Sequence, residues 1–241
     1  MIRLLLLIFI FSSTAQAELE VSLEAGQVWQ NRNDVQIPPD AGGTRVELDE
    51  FGDGPYSAAR LDLFYRFGSK HGVRLLYAPL TVEFDGTPTS NIDFDGTTFN
   101  AGTLTDFEYT FNSYRLTYFY ALWGHKDDQL NIGFTAKVRD AEIVIRQGST
   151  EKTYDNTGFV PLLFVDYQKK LGQNWKFKFN MDGLAGGPGR AFDVALKFRR
   201  ALSKSTDLGI GYRTLEGGAD NDEVFTFSWL NYAVIDLTAR F

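Results

Sequence analysis

Apolar and polar residues alternate at every second position through most of this chain. Near its end one face carries Ala233, Ile235, Leu237, Ala239 and Phe241, and the other Tyr232, Val234, Asp236, Thr238 and Arg240. The same rhythm separates Trp175, Phe177, Phe179 and Met181 from Lys176, Lys178, Asn180 and Asp182. It separates Phe192, Val194, Leu196 and Phe198 from Asp193, Ala195, Lys197 and Arg199. A helix repeats its faces every ~3.6 residues, so a period of two dictates strands with two differently solvated faces. A soluble sandwich also alternates, its apolar face being a core. Three features favour a barrel that turns its apolar face outward to lipid. That face is aromatic-rich near the strand ends (Tyr65, Phe67, Tyr118, Tyr120, Trp175, Phe177 and Trp229), as interfacial girdles require. Short and long connections alternate, and the chain stops on an aromatic residue inside its last strand.

Ten strands are predicted, near 19–33, 56–68, 72–85, 107–123, 129–146, 153–171, 174–184, 190–202, 206–216 and 223–241. The turns at 68–72, 124–128, 172–173 and 203–205 are short. The connections 34–55 and 86–106 are long, and 148–152, 186–189 and 217–222 lie on their side. The expected fold is an all-β, transmembrane, antiparallel up-and-down β-barrel of about ten strands over residues 18–241. An open sheet edge is not viable in lipid, so the first strand must pair with the last. Both termini then share one side, and Glu20 falls beside Arg240, both pointing inward.

Residues 1–17, MIRLLLLIFIFSSTAQA, hold a short basic start at Arg3, an apolar stretch and a small-residue end at Ala15-Gln16-Ala17. This is the pattern of a cleaved signal peptide, and its apolar run is too short for a spanning helix. The 241 residues contain no cysteine, which excludes disulfides, cysteine zinc sites and a thiol nucleophile. The net charge of −7 argues against a nucleic-acid partner, whose footprint would be basic.

The inward faces carry twelve basic residues: Arg60, Arg66, Arg74, Arg115, Lys137, Arg139, Lys176, Lys178, Lys197, Arg199, Arg213 and Arg240. Eight acidic ones accompany them: Glu20, Glu24, Asp62, Asp166, Asp182, Asp193, Asp207 and Asp236. Unpaired charges in a confined bore are costly, and about eight strands give an interior that side chains just fill. Glu20, Arg60, Asp62, Arg115, Asp166, Arg213, Asp236 and Arg240 are therefore expected to form lumen ion pairs. Arg60, Asp62, Arg115, Asp166, Arg213 and Asp236 should cross the bore near mid-height.

In its signal peptide, strand meander and terminal strand 232–241, the chain resembles bacterial outer-membrane β-barrel proteins. The stretches 186–196 and 212–227 are similar to an uncharacterised proteobacterial barrel family that has no activity to transfer. The resemblance implies the cell outer membrane as location and outer-membrane lipids as surroundings. It also implies the barrel-assembly machinery as a partner in biogenesis, with Phe241 as the terminal signal that it reads. The expected state is a monomer without cofactor or metal.

The function this suggests is structural, or a narrow small-solute pore with an ion-paired lumen. The alternatives are a lipid-modifying or hydrolytic enzyme at the outer rim, or an adhesin or receptor acting through its long loops. Enzymatic barrels of this class use a histidine near a nucleophile or an activated water, since histidine titrates near neutrality. His71 and His125 both fall in short terminal-side turns, as solvated residues, which disfavours catalysis. The long loops are acidic, with Asp34, Asp40, Glu47, Asp49, Glu50 and Asp53 in the first. Asp49-Glu50-Phe51-Gly52-Asp53-Gly54 only loosely matches a calcium loop, so a solvated acidic loop is expected.

Overall fold

The computed structural model describes residues 18–39, 42–125, 128–186 and 189–241. The expected signal peptide lies outside them, as do Asp40 and the centre of the glycine-rich turn, Gly187 and Pro188. β1 (Glu18–Gln36), β3 (Tyr56–Phe67), β4 (His71–Ala78) with β5 (Thr81–Gly86), β8 (Thr105–His125) and β9 (Asp128–Gln147) make the first five staves of a barrel. β10 (Thr150–Lys170), β11 (Trp175–Gly186), β12 (Gly189–Ala201), β13 (Thr206–Asp220) and β14 (Phe225–Arg240) make the other five. Each pairs antiparallel with the next, and β14 returns to β1. The barrel is all-β, closed and ten-stranded, with the termini at one end.

Closure is staggered. The row of paired residues from Leu19 passes Tyr65, Val73, Tyr118, Phe134, Leu163, Gly183, Phe192, Glu216 and Trp229. It re-enters β1 at Arg32, past the irregularity between Gln30 and Arg32. Such a stagger tilts the strands, by about 35–45° in barrels of this kind. Leu23, Leu75, Leu116, Phe134, Ile210 and Ile235 remain exposed around the outside. Tyr65, Phe67, Trp123 and Trp175 edge this belt towards the termini, and Tyr77, Tyr114, Tyr212 and Trp229 edge it at the far end.

Three local departures from the sequence reading have physical causes. The expected strand 72–85 is interrupted at Pro79 and Leu80, although both halves pair with β8. Proline has no N–H to give to a ladder. The expected loop 217–222 is largely strand, because β13 pairs with β14 as far as Asp220↔Phe225. Gly218 serves close strand approach there, since a Cβ would sit 2.1 Å from the Thr226 carbonyl oxygen. The turn at 148–152 likewise shrinks, with β9 and β10 paired up to Gln147↔Thr150.

The long acidic loops are not merely solvated. Ile37, Leu48 and Val46, which lies in β2 (Val46–Glu47), turn inward with Ile92 and Phe94 of β6 (Ile92–Phe94) and Phe99 of β7 (Thr97–Phe99). They share an apolar core with Val28, Val82, Phe107 and Ile145 from the barrel wall. Phe51 stacks on Phe107 with ring centroids 4.7 Å apart. The Asp49 carboxylate accepts the Asn33 backbone N–H at 2.7 Å. Among the described residues no group of three or more His, Asp or Glu side chains is placed to hold a metal ion.

Candidate functional site

Strand parity sends the charged side chains into the bore, where they form two tiers. The mid-height tier crosses the barrel. Arg115 on β8 donates to Asp182 on β11 and to Asp193 on β12, both at 2.7 Å. Arg60 on β3 reaches Asp193 at 2.7 Å, and Arg74 on β4 reaches Asp62 at 2.7 Å and Asp182 at 2.8 Å. Arg213 on β13 donates to Glu24 at 2.9 Å and also to Asp193. Lys197 completes the tier on Glu24.

The second tier lies towards the termini. Arg240 Nε is 3.2 Å from Glu20 Oε2, and the two are register partners across the closing seam. Glu20 also takes Arg199 at 3.3 Å and Lys178 at 3.5 Å. Lys178 meets Asp166 at 3.3 Å, Arg199 meets Asp236 at 2.5 Å, and Asp207 receives Lys176 and Arg240. Asp166 and Asp236 thus belong here rather than with Arg115 at mid-height. Buried ion pairs persist only when hydrogen bonds satisfy their remaining valences. Asn131 and Asn180 donate to Asp166, Thr135 to Asp182, and Ser22 and Thr238 to Asp236.

Sequence reasoning singled out eight lumen residues, yet the hubs are Asp193 and Asp182, each holding two or more arginines from across the bore. Alternation placed both on the inward face without ranking them, because a hub is defined by distance across the lumen. The seam ends on Phe241, whose backbone N–H donates to the Leu19 carbonyl at 2.9 Å while its side chain is exposed. His71 opens β4 instead of sitting in a turn, with Nδ1 2.6 Å from the Tyr118 hydroxyl. The backbone of His125 ends β8 at the same, terminal end.

Beyond the far-end aromatic edge of the belt, on β1, Asp34 is clamped by Arg32 at 2.6 Å and Arg45 at 2.6 Å. Burial opposes its charge, but these hydrogen bonds outweigh burial and hold the carboxyl below the usual carboxylate range. The clamp ties the first long loop to the barrel.

A closed ten-stranded antiparallel barrel, apolar outside and charged within, has the architecture of bacterial outer-membrane β-barrel proteins. The chain is similar to the outer membrane protease OmpT from Escherichia coli, with TM-score 0.59, 8% identity and coverage of 96% of this chain and 99% of that one. It is also similar to Ail, the attachment invasion locus protein of Yersinia pestis, with TM-score 0.45, 11% identity and coverage of 92% and 99%. No protein-family model and no curated protein matches the chain. At such identities the likeness to OmpT establishes the fold alone.

Proposed function

We propose that this protein is an integral outer-membrane barrel with an occluded lumen, structural in its membrane half rather than a conduit for solutes. The observation that carries this reading is the reach of Arg115 from β8 across the bore to Asp182 and Asp193. Paired and buried charges fill the section where an aqueous column would have to run. The apolar belt and the OmpT-like fold support the location; the proposal takes the protein as a monomer surrounded by outer-membrane lipids. In this reading Phe241, exposed at the end of the closing strand, is the residue that the barrel-assembly machinery reads. Planar-bilayer recording tests the occlusion. The reconstituted protein should show little or no steady conductance, and large stable channels would overturn the reading.

A further inference from the structure

Above the charged tiers the lumen is divided. On the β1 side it is filled by the loop core, whereas on the β9–β13 side it holds a cavity of about 460 Å³. Small-molecule sites span about 300–1,000 Å³, with apolar walls and a few placed polar groups. This cavity is walled by Phe111, Ile143, Leu184 and Ala191; Lys137 and Arg139 project among them, and a third cation, Arg190, lines it while paired with Glu216. Lys137 is 4% exposed, and among the described residues its side-chain nitrogen forms no ion pair and no hydrogen bond, with Asp193 acting on it only from longer range. Its neighbour is the Phe111 ring, with the centroid 4.7 Å away. Arg139 donates to the Asn156 side chain and to no carboxylate among those residues. A buried ammonium without a partner is expensive. Its position at the base of an apolar chamber is suited to an anion.

The chamber also has a side opening. β10 pairs with β9 from Thr150 to Gln168, but with β11 only from Leu163 towards the termini. Residues 150–162 thus leave one edge free among the described residues. The cavity lining runs out through this edge past Phe159, Pro161 and Gly186. Phe159 is 68% exposed and lies in one row with Val138 and Tyr114, at the far margin of the apolar belt. Pro161, lacking an N–H, belongs to the class of residue that sheets tolerate at edges. An edge at membrane depth is viable only where it borders protein or a water-filled cavity.

We infer that this chamber binds a single-chain anionic amphiphile of the long-chain carboxylate class. It enters from the outer leaflet between β10 and β11, its head meets Lys137 and Arg139, and its chain lies among Phe111, Ile143 and Leu184. The inference rests on the membrane location proposed above.

The test uses the full mature barrel in lipid nanodiscs with radiolabelled palmitate, counted against empty nanodiscs. One saturable site per barrel is expected, competed by hexadecyl phosphate less well than by unlabelled palmitate, and not by hexadecan-1-ol. Lys137→Met should weaken binding about tenfold or more, the scale of a lost charge-assisted contact, while Lys137→Arg retains it. Leu184→Trp should block the chamber without touching its charge, so the inference stays open to refutation if Lys137→Met does not fold. Palmitate retention no greater than in empty nanodiscs would overturn the site. Equal competition by hexadecan-1-ol, or an unchanged affinity in Lys137→Met, would overturn the role of the cations. Stronger competition by the phosphate would overturn the carboxylate assignment. Loss of heat-modifiable gel mobility in the unmodified protein would instead sink the membrane-barrel reading.

Discussion

Asp193 is the residue on which the mid-height tier most depends. One oxygen accepts from Arg60 and from Arg115, each at 2.7 Å, and the other accepts from Arg213. In Asp193→Asn the shape remains while the charge goes. Arg60 would then retain only Glu24 at 3.9 Å, whereas Arg115 keeps Asp182 at 2.7 Å and Arg213 keeps Glu24 at 2.9 Å. Breaking a buried ion pair costs about 3–5 kcal/mol, because it strands the remaining charge in a poorly solvating interior. Two of the three arginines keep a second carboxylate at hydrogen-bonding distance, so the low end, about 3 kcal/mol, is expected here. Glu216→Gln provides the contrast, since the Arg190–Glu216 pair on the outer face is 52% and 33% exposed. Exposed pairs are worth about 0–1 kcal/mol.

Unfolding midpoints in urea, read by the gel-mobility difference between folded and unfolded barrel in lipid vesicles, measure both variants. Adding Arg60→Met to Asp193→Asn removes the stranded guanidinium and should recover part of the loss, a coupling that shows as non-additivity. If Asp193→Asn costs no more than Glu216→Gln, or the double variant is simply additive, the charged tier does not hold the barrel as argued.

Two further outcomes follow from other parts of the wall. At Gly72 a Cβ would come within 2.2 Å of Phe119 Cζ, and that ring is held against Phe64 and Phe164 at centroid distances of 5.9 and 6.2 Å. Gly72→Ala should therefore cost about 1–3 kcal/mol as overpacking, while Gly186→Ala, with nothing within 4 Å, stays within about 0.5 kcal/mol; the same unfolding assay compares them. Because the Asp34 carboxyl is held low in the folded loop, its contribution is complete above the unfolded carboxylate value of about 3.9 and fades as pH falls through the folded value. Proteolysis of the first long loop by an acid-active protease should accelerate only below about pH 4, and Asp34→Asn should cleave fast at every pH; a pH-independent rate in the unmodified protein would remove the clamp.

Strand number, closure and facing were legible because a period of two leaves no freedom: shifting by one residue exposes every charge to lipid. That is why Glu20 and Arg240 could be placed opposite each other across more than two hundred residues of chain. Composition hid the loop core. Phe94 and Phe99 sit among aspartates and threonines, and only the closed mouth of the barrel gives them something to pack against. Glycine misled at 217–218, where the need was close strand approach rather than a turn. The free edge of β10 left almost no trace, since alternation runs undisturbed past Leu162 whether or not a neighbour is present. Pro161 was the single signal there, and it reads equally as an edge or a bulge.

The distribution of inward charge argues for a division of labour along the bore. Of the twelve inward cations, nine touch carboxylates, and all eight inward carboxylates are engaged by them. The plug is therefore close to neutral, and its electrostatics act inward, on stability, with little field left to draw an ion through. The three cations outside this pairing are Arg66, Lys137 and Arg139. Arg66 is satisfied near the terminal mouth by Gln129 and Asn131 at 2.9 and 3.4 Å. Lys137 and Arg139 project into the large chamber above the plug. Two cations without an ion-pair partner thus remain above the plug, where the wall also opens. A barrel built only as a stave would have no physical need to keep those two charges there: methionine at either position would fill the space without the desolvation cost.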